Sequence, residues 1–471
     1  MSVTILKYCH RSNDMKKVIF YILFLMSAMT VSAQNVVIDG STNKANALVR
    51  LFVYDDMLSC EMTEVCSTRS DNKGNFRLET DLPDITLARI AVNLESVDML
   101  LNTRSSYKVK IEIPENNEDV SYFERQESVI TMLDADDDGL YYQFTMTENI
   151  INEFILNNFN QLYRGRRVAL LDSLDSDIER KLGTVNFDFV KDYIRYKKGV
   201  VMLALTGDGG KKVMNEYFLD NDILYSQPAY MDLFKETFTD YFLQRKFEPS
   251  EFMYAFASGY DNFVSYLKKD DFLANNDSLF ELIFIWNLRR MYYENPNEKK
   301  IVNSYLDIMK SKTMVPRHKT IINDIQAGLN RLAYDTDAPS FSLRDAVGDV
   351  FKLSDHKDKM ILLQFVSRVS QMSEYQFERL SELESRWQDT VEVVTIATNN
   401  SFEDYKTLFK EKGYNWTLLN LEDDILLWEK YQIKTCPEYV IIKTQNKIGM
   451  APAPSPEQYL EYHIRRIYGY H

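Results

Sequence analysis

The sequence predicts a multidomain protein with an N-terminal all-β domain, an all-α middle domain and a C-terminal α/β domain. Three observations carry this. Short segments with apolar period two fill about Gln34 to Pro114, and the period changes to 3.6 from about Thr145 to Leu332. Beyond residue 337, an unbroken apolar run from Met360 to Val366 is followed by a helical stripe.

The first residues read as an address. Met15-Lys16-Lys17, the apolar run Val18 to Met29 and then Val31-Ser32-Ala33 have the order of a secretory signal peptide over 1–33, with Met15 a possible true start. The apolar run is too short for a comfortable membrane span, and no membrane span is expected after cleavage. Of 55 basic and 70 acidic residues, four and one precede Gln34, leaving 51 against 69 and a net charge near −18. That field excludes nucleic acid and anionic lipid as partners. Cleavage also removes Cys9 and leaves Cys60, Cys66 and Cys436, an odd number for an oxidising compartment. Cys60 and Cys66 pair only if a turn separates them, since on one strand they stand about 20 Å apart.

Within 34–114, the strands are read at Ala47 to Tyr54, Met62 to Thr68, Asn75 to Leu78, Leu87 to Leu94 and Tyr107 to Ile113. Ser70-Asp71-Asn72-Lys73-Gly74-Asn75-Phe76 resembles the "D..G.F" turn of carboxypeptidase-regulatory-like β-sandwich domains of exported bacterial proteins. The resemblance implies a β-sandwich that acts as spacer or docking module. Residues 115–144 are read as a connecting segment. There, Asp134-Ala135-Asp136-Asp137-Asp138-Gly139 begins like a calcium loop, but its twelfth position is Thr145 instead of a bidentate glutamate, so a solvated acidic turn is expected and no metal.

The helical domain is placed at 145–333. Ile150, Phe154, Ile155, Phe159 and Leu162 make one stripe, and Phe187, Val190, Tyr193 and Ile194 a second. Others recur in Tyr230 to Phe242, Leu279 to Tyr292, Ile301 to Met309 and Ile321 to Leu332. The 30 tyrosines and 27 phenylalanines of the chain stand mostly at this spacing, which favours core packing over a sugar- or peptide-binding surface. Gly207 to Lys212 lacks the first glycine and the Ser/Thr of a phosphate loop and reads as a helix–helix turn, so no nucleotide or other cofactor is expected. Tyr334 to Pro339 reads as a short linker.

The last domain, 337–471, is the most informative. Ala338-Pro339-Ser340-Phe341-Ser342-Leu343-Arg344-Asp345, Gly348 and Leu353-Ser354-Asp355 lead into the Met360–Val366 strand, which is expected to be covered by helices on both faces. A helix follows from Ser370 or Ser373 to about Arg386, with Phe377, Leu380, Leu383 and Trp387 on one face. Val391 to Ala397 is the next parallel strand, and Phe402 to Lys412 a helix closed by Gly413. Ile433-Lys434-Thr435-Cys436-Pro437 then precedes two further strands.

These landmarks, in this order, resemble the TlpA/ResA and peroxiredoxin-related (AhpC/TSA) thioredoxin-like family, over roughly 337 to 468. The resemblance implies a thioredoxin fold, a Gram-negative periplasmic address, a cis peptide bond before Pro437, and two redox cysteines where this chain has Ser370 and Ser373. Thioredoxin chemistry needs a thiolate at the helix N-terminus and a second thiol one turn on. Serine supplies neither, and activating Ser370 as a nucleophile needs a base, for which only His356 lies near in sequence. The plain reading of Ser370 is a helix N-cap.

Cys436, next to the implied cis-proline, is the one candidate thiol, either redox active or a small apolar filler. The binding residues implied are Thr435, Cys436 and Pro437, beside which the family holds extended peptide. Two-cysteine reductase activity is not expected. The readings that remain are an exported, catalytically degenerate binder of extended peptide or a protein partner in the cell envelope, a thiol-disulfide oxidoreductase or redox sensor using Cys436, and a structural envelope component.

Overall fold

The computed structural model describes residues 36–93, 95–114, 128–207, 210–243, 247–294, 296–387, 390–421, 425–434 and 436–469. The signal-peptide reading of 1–33 and the binding residue Thr435 lie outside the described residues.

The chain begins as a sandwich of two four-stranded sheets. One has the order β4-β1-β7-β8 and the other β3-β2-β5-β6. The strands are β1 (Val36–Thr42), β2 (Leu48–Tyr54), β3 (Met62–Arg69), β4 (Asn75–Thr80), β5 (Thr86–Val92), β6 (Glu95–Leu101), β7 (Ser105–Glu112) and β8 (Val129–Asp136). Alternate residues such as Val36, Ile38, Leu78, Val109 and Ile111 meet Val49, Leu51, Ile90 and Leu101 in the core, as period-two strands with one buried face require.

The "D..G.F" turn has a direct physical basis. The Asp71 carboxylate accepts from the backbone N–H of Lys73 (2.7 Å) and Asn75 (2.8 Å), forming an Asx turn. Gly74 has φ +84°, and a Cβ there would stand 1.9 Å from the Thr42 carbonyl oxygen. The Phe76 ring fills the space above Gly40, its partner across the β1–β4 ladder.

The connecting segment is corrected by β8, which pairs antiparallel with β7 over Ser106–Glu112. Its acidic run is divided between roles. Asp134 pairs with Lys108 at 3.6 Å. Asp137 is buried, and its carboxylate accepts from Gly139 N and Tyr141 N, capping the first helix. No group of three His, Cys, Asp or Glu suited to a metal occurs among the described residues.

The middle domain comprises α1 (Leu140–Phe159), α2 (Asp172–Leu182), α3 (Asp188–Leu205), α4 (Pro228–Phe238), α5 (Pro249–Ala257), α6 (Tyr260–Leu267), α7 (Asp277–Glu294), α8 (Lys299–Lys312) and α9 (Pro316–Asn330), with shorter turns between them. Its aromatic residues go inside. Tyr196, Phe218, Tyr230, Phe234, Phe238 and Phe242 are fully buried, with edge-on pairs such as Tyr196–Tyr230 at 4.8 Å. Leu58 and Leu100 of the sandwich join the same core. Phe159, placed on the apolar stripe by its spacing, is instead 49 % exposed, at the point where α1 passes into a π-helical turn, Asn160–Arg164.

The linker is an added edge to the last domain. Asp335 N bonds Ile448 O, Ile448 N bonds Thr336 O and Ala338 N bonds Asn446 O, each at 2.8 Å. The Lys443 ammonium lies 4.4 Å from the Tyr334 ring centroid and also pairs with Asp335.

The C-terminal domain is a seven-stranded sheet of order β10-β9-β13-β12-β11-β14-β15. Its elements are β9 (Ser342–Asp345), β10 (Val350–Lys352), β11 (Met360–Val366), α10 (Gln371–Trp387), β12 (Val391–Ala397), α11 (Asn399–Lys412), β13 (Thr417–Asn420), α12 (Ile425–Lys430), β14 (Glu438–Lys443), β15 (Lys447–Ala453) and α13 (Leu460–Tyr468). β11 pairs parallel with β12 and antiparallel with β14, and all seven of its residues are buried. Gly413 closes α11 at φ +71°.

The two faces of β11 are covered differently. Leu362 and Val366 pack under α10, α11 and α13. Ile361, Leu363 and Phe365 are covered by Phe341, Leu343, Phe351 and Leu353 of the lead-in segment together with Leu427 and Tyr431. The expected helix layer on that second face is therefore one short helix and a β-hairpin.

Candidate functional site

The site is built where β11 ends and α10 begins. Ser370 is the N-cap of α10, and Ser373 is the third helical residue. Ser373 N donates to Ser370 Oγ at 3.1 Å, while Ser370 N donates to Ser373 Oγ at 2.7 Å. This is a reciprocal capping box with serine at both ends, which satisfies two backbone donors that a helix start leaves open. Removing such a cap costs about 1 kcal/mol. Ser373 is buried, and its hydroxyl further donates to Ser370 O at 2.8 Å. Both oxygens are thus spent on holding the helix start together.

Among the described residues no histidine bonds either serine. His356 precedes β11 and so lies at the other end of the strand from Ser370. Its Nδ1 is 2.8 Å from Glu392 Oε2, and its ring stacks on Phe351 at 4.1 Å. The polar groups beneath α10 are otherwise neutral. Trp416 Nε1 donates to Thr395 Oγ1 (3.0 Å), Thr395 Oγ1 to Gln364 Oε1 (3.0 Å), Gln364 Nε2 to the Tyr439 hydroxyl (2.9 Å) and that hydroxyl to Gln376 Oε1 (2.8 Å). Gln376 Nε2 ends the chain on Glu457 Oε1 at 2.8 Å. Every link is a donor matched to an acceptor, which fixes α10 over the sheet.

The Cys436–Pro437 bond is cis. The Cys436 side chain packs with Trp428 against the Ile361–Leu363–Phe365 face, and it lies near enough to the Tyr405 hydroxyl, which also contacts Ser373, to raise that tyrosine. Burial pushes the Cys436 thiol up to about 12, with the Ser367 hydroxyl lowering it slightly and Glu438 raising it. At neutral pH the group is a protonated thiol, the opposite of what helix-terminal activation gives a catalytic cysteine. Tyr405 also donates to Arg368 O at 2.9 Å and is itself pushed up to about 12 by burial.

Sequence reasoning singled out Ser370, Ser373, Thr435, Cys436 and Pro437 and did not reach the surrounding Ser367, Tyr405, Gln376, Tyr439 and Glu457. One signal was visible: Gln364 is the single polar residue in an otherwise apolar run, and a buried amide needs partners. Cys60 is exposed, Cys66 is half-buried, and both are free.

The comparisons with known proteins fall on this domain. The Thioredoxin-like family model matches residues 358–448. The thiol-disulfide oxidoreductase ResA of Bacillus subtilis is 25 % identical over 130 residues, 27 % of this chain and 72 % of that protein. Among solved structures, the thioredoxin domain of a thiol-disulfide oxidoreductase from Bacteroides vulgatus is 22 % identical, covering 29 % of this chain and 99 % of its own, with a TM-score of 0.27. A putative thiol:disulfide interchange protein DsbE from Chlorobium tepidum is 20 % identical with the same coverages and TM-score. Among the described residues no helix is long and apolar enough to cross a membrane. The C-terminal domain of this chain matches the Thioredoxin-like family model and is similar in sequence to a ResA thiol-disulfide oxidoreductase.

Proposed function

We propose that this is an exported, catalytically degenerate thioredoxin-like protein of the periplasm that binds extended peptide, or an extended segment of a protein partner, beside the Cys436–Pro437 loop. The observation that carries the reading is the state of the would-be redox pair: Ser370 and Ser373 are locked into a helix cap, and the neighbouring thiol, Cys436, is held protonated by burial. Serine cannot form or exchange a disulfide, so the chemistry of the family has no nucleophile here. What the family keeps in common with this chain is the scaffold that holds an extended chain by backbone pairing. Met372 and Tyr375, 57 % and 45 % exposed on the first turns of α10, offer apolar contact to a bound side chain. Export is supported by the basic, apolar and small-residue order of Lys16 to Ala33.

Insulin reduction tests the reading. The native protein is expected to be inactive, and the double variant Ser370→Cys/Ser373→Cys to gain dithiol-dependent activity. The gain would place the loss in the thiols and leave the scaffold intact. Native activity that disappears in Cys436→Ser would replace this reading with a single-thiol oxidoreductase. A pull-down from envelope extract that recovers nothing, with or without a Met372→Asp change, would favour a purely structural role.

A further inference from the structure

The loop between β2 and β3 meets helix α9 where the sandwich joins the helical domain. Arg331, just after α9, clasps both carboxylate oxygens of Glu61 at 2.6 Å, and Arg317 Nη2 donates to Asp55 O at 2.8 Å. Between these ties lies an unlike contact. Asp56 is 2 % exposed, and its carboxylate accepts from Leu58 N (2.7 Å), Ser59 N (2.5 Å) and the Ser59 hydroxyl. Asp324 stands on α9 seven residues from both Arg317 and Arg331, on the same helix face, which sets its carboxylate against the loop that carries Asp56. The Asp324 Oδ2 is buried with no hydrogen-bond partner. Two carboxylates in contact hold together only through a proton, and repel when both are ionised.

We propose that the Asp56–Asp324 pair is a proton-dependent latch between the β-sandwich and the helical domain, closed while Asp324 carries a proton and loosened when it ionises. Burial, then the charges of Asp56 and Asp55, then hydrogen bonding to Asp56, and Glu61 behind them, push Asp324 up to about 6. The cations at the junction are turned elsewhere: Arg317 to Asp55 O, Arg331 to Glu61, and Lys235 of α4 to Cys60 Sγ at 3.9 Å and to Asp232. The helices packed on α9 present Glu281 from α7, bound to His318, and Asp307 from α8, bound to Gln326.

The closed junction holds its proton more tightly than a free aspartate does, so it binds more protons than the open junction. Stability of the latch is therefore fully present below the ordinary aspartate range and is lost as pH rises through about 6. From pH 7.5 to 5.0 the opening equilibrium should fall about ten-fold.

Hydrogen–deuterium exchange of the full chain, corrected for intrinsic rates, tests this on peptides covering 55–61 and 316–330. The native protein is expected to slow about ten-fold in both on acidification to pH 5.0, with β11 unchanged. Asp324→Asn, whose amide can donate to Asp56, is expected to be slow at both pH values. Asp324→Ala removes the second charge and carries the same test if the asparagine variant does not fold: its exchange should lose the pH dependence. A native protein without that dependence, or a dependence that survives in the variants, overturns the proposal.

Discussion

Ser370 and Cys436 show how far one atom changes a site. In each serine the hydroxyl oxygen has taken the role of a backbone cap, because a hydroxyl at neutral pH both donates and accepts and so closes the box with Ser373 in both directions. A thiol is a poor partner for that geometry. Cys436 is held as a thiol for a different reason: its burial favours the neutral form and pushes it up to about 12. Cys60 is exposed on the β2–β3 loop. Mass spectrometry after iodoacetamide at pH 8 should therefore find Cys60 modified in the native protein and Cys436 unmodified, with Cys436 modified once the chain is unfolded in guanidinium. Rapid native labelling of Cys436 would show that the loop opens, and would revive redox chemistry at this residue.

Secondary elements were legible where a single pattern governed them. The apolar run of β11, the stripe of α10 and the glycine that ends α11 are local signals, and the elements stand where those signals put them. β8 was hidden because Asp134 and Asp136, on the exposed side of its pleat, look like a solvated turn when the pairing with β7 is unknown. β5 was read past its end: it stops at Val92, where Asn93 takes φ +54°. In the site the serines were legible as residues but their reciprocal bonding was less so, and Tyr405 and Glu457 arrive from elements 30 to 80 residues away, which no local pattern reports. The turn at Asp71–Phe76 is the sharpest local determinant of the sandwich. Gly74→Ala should destabilise this domain by more than about 2 kcal/mol, since the left-handed backbone alone costs 1–2 kcal/mol and the new Cβ meets the Thr42 carbonyl. Urea unfolding followed at β-sheet wavelengths measures it, and a change below 0.5 kcal/mol would mean that the turn relaxes freely.

The three domains are joined by specific contacts, and the joints decide what can fold alone. The Thioredoxin-like match begins at residue 358, yet one face of β11 is completed by residues before that point. Phe341, Leu343, Phe351 and Leu353 are all buried against Ile361, Leu363 and Phe365. At 1.5–3 kcal/mol for each buried side chain, the four contribute about 6–12 kcal/mol, comparable to the whole stability of a domain. The linker adds the paired backbone of Asp335, Thr336 and Ala338 along β15 and the Lys447–Asp337 ion pair at 2.7 Å. A fragment starting at Lys357 should therefore lack a cooperative urea transition and bind a hydrophobic dye, while one starting at Arg331 should unfold cooperatively. Equal cooperativity in the two fragments would mean that the sheet closes its second face without the lead-in hairpin. Failure of both would place part of the domain's stability in the Glu61–Arg331 clasp and the rest of the chain, making the thioredoxin-like fold here a dependent part of a three-domain whole.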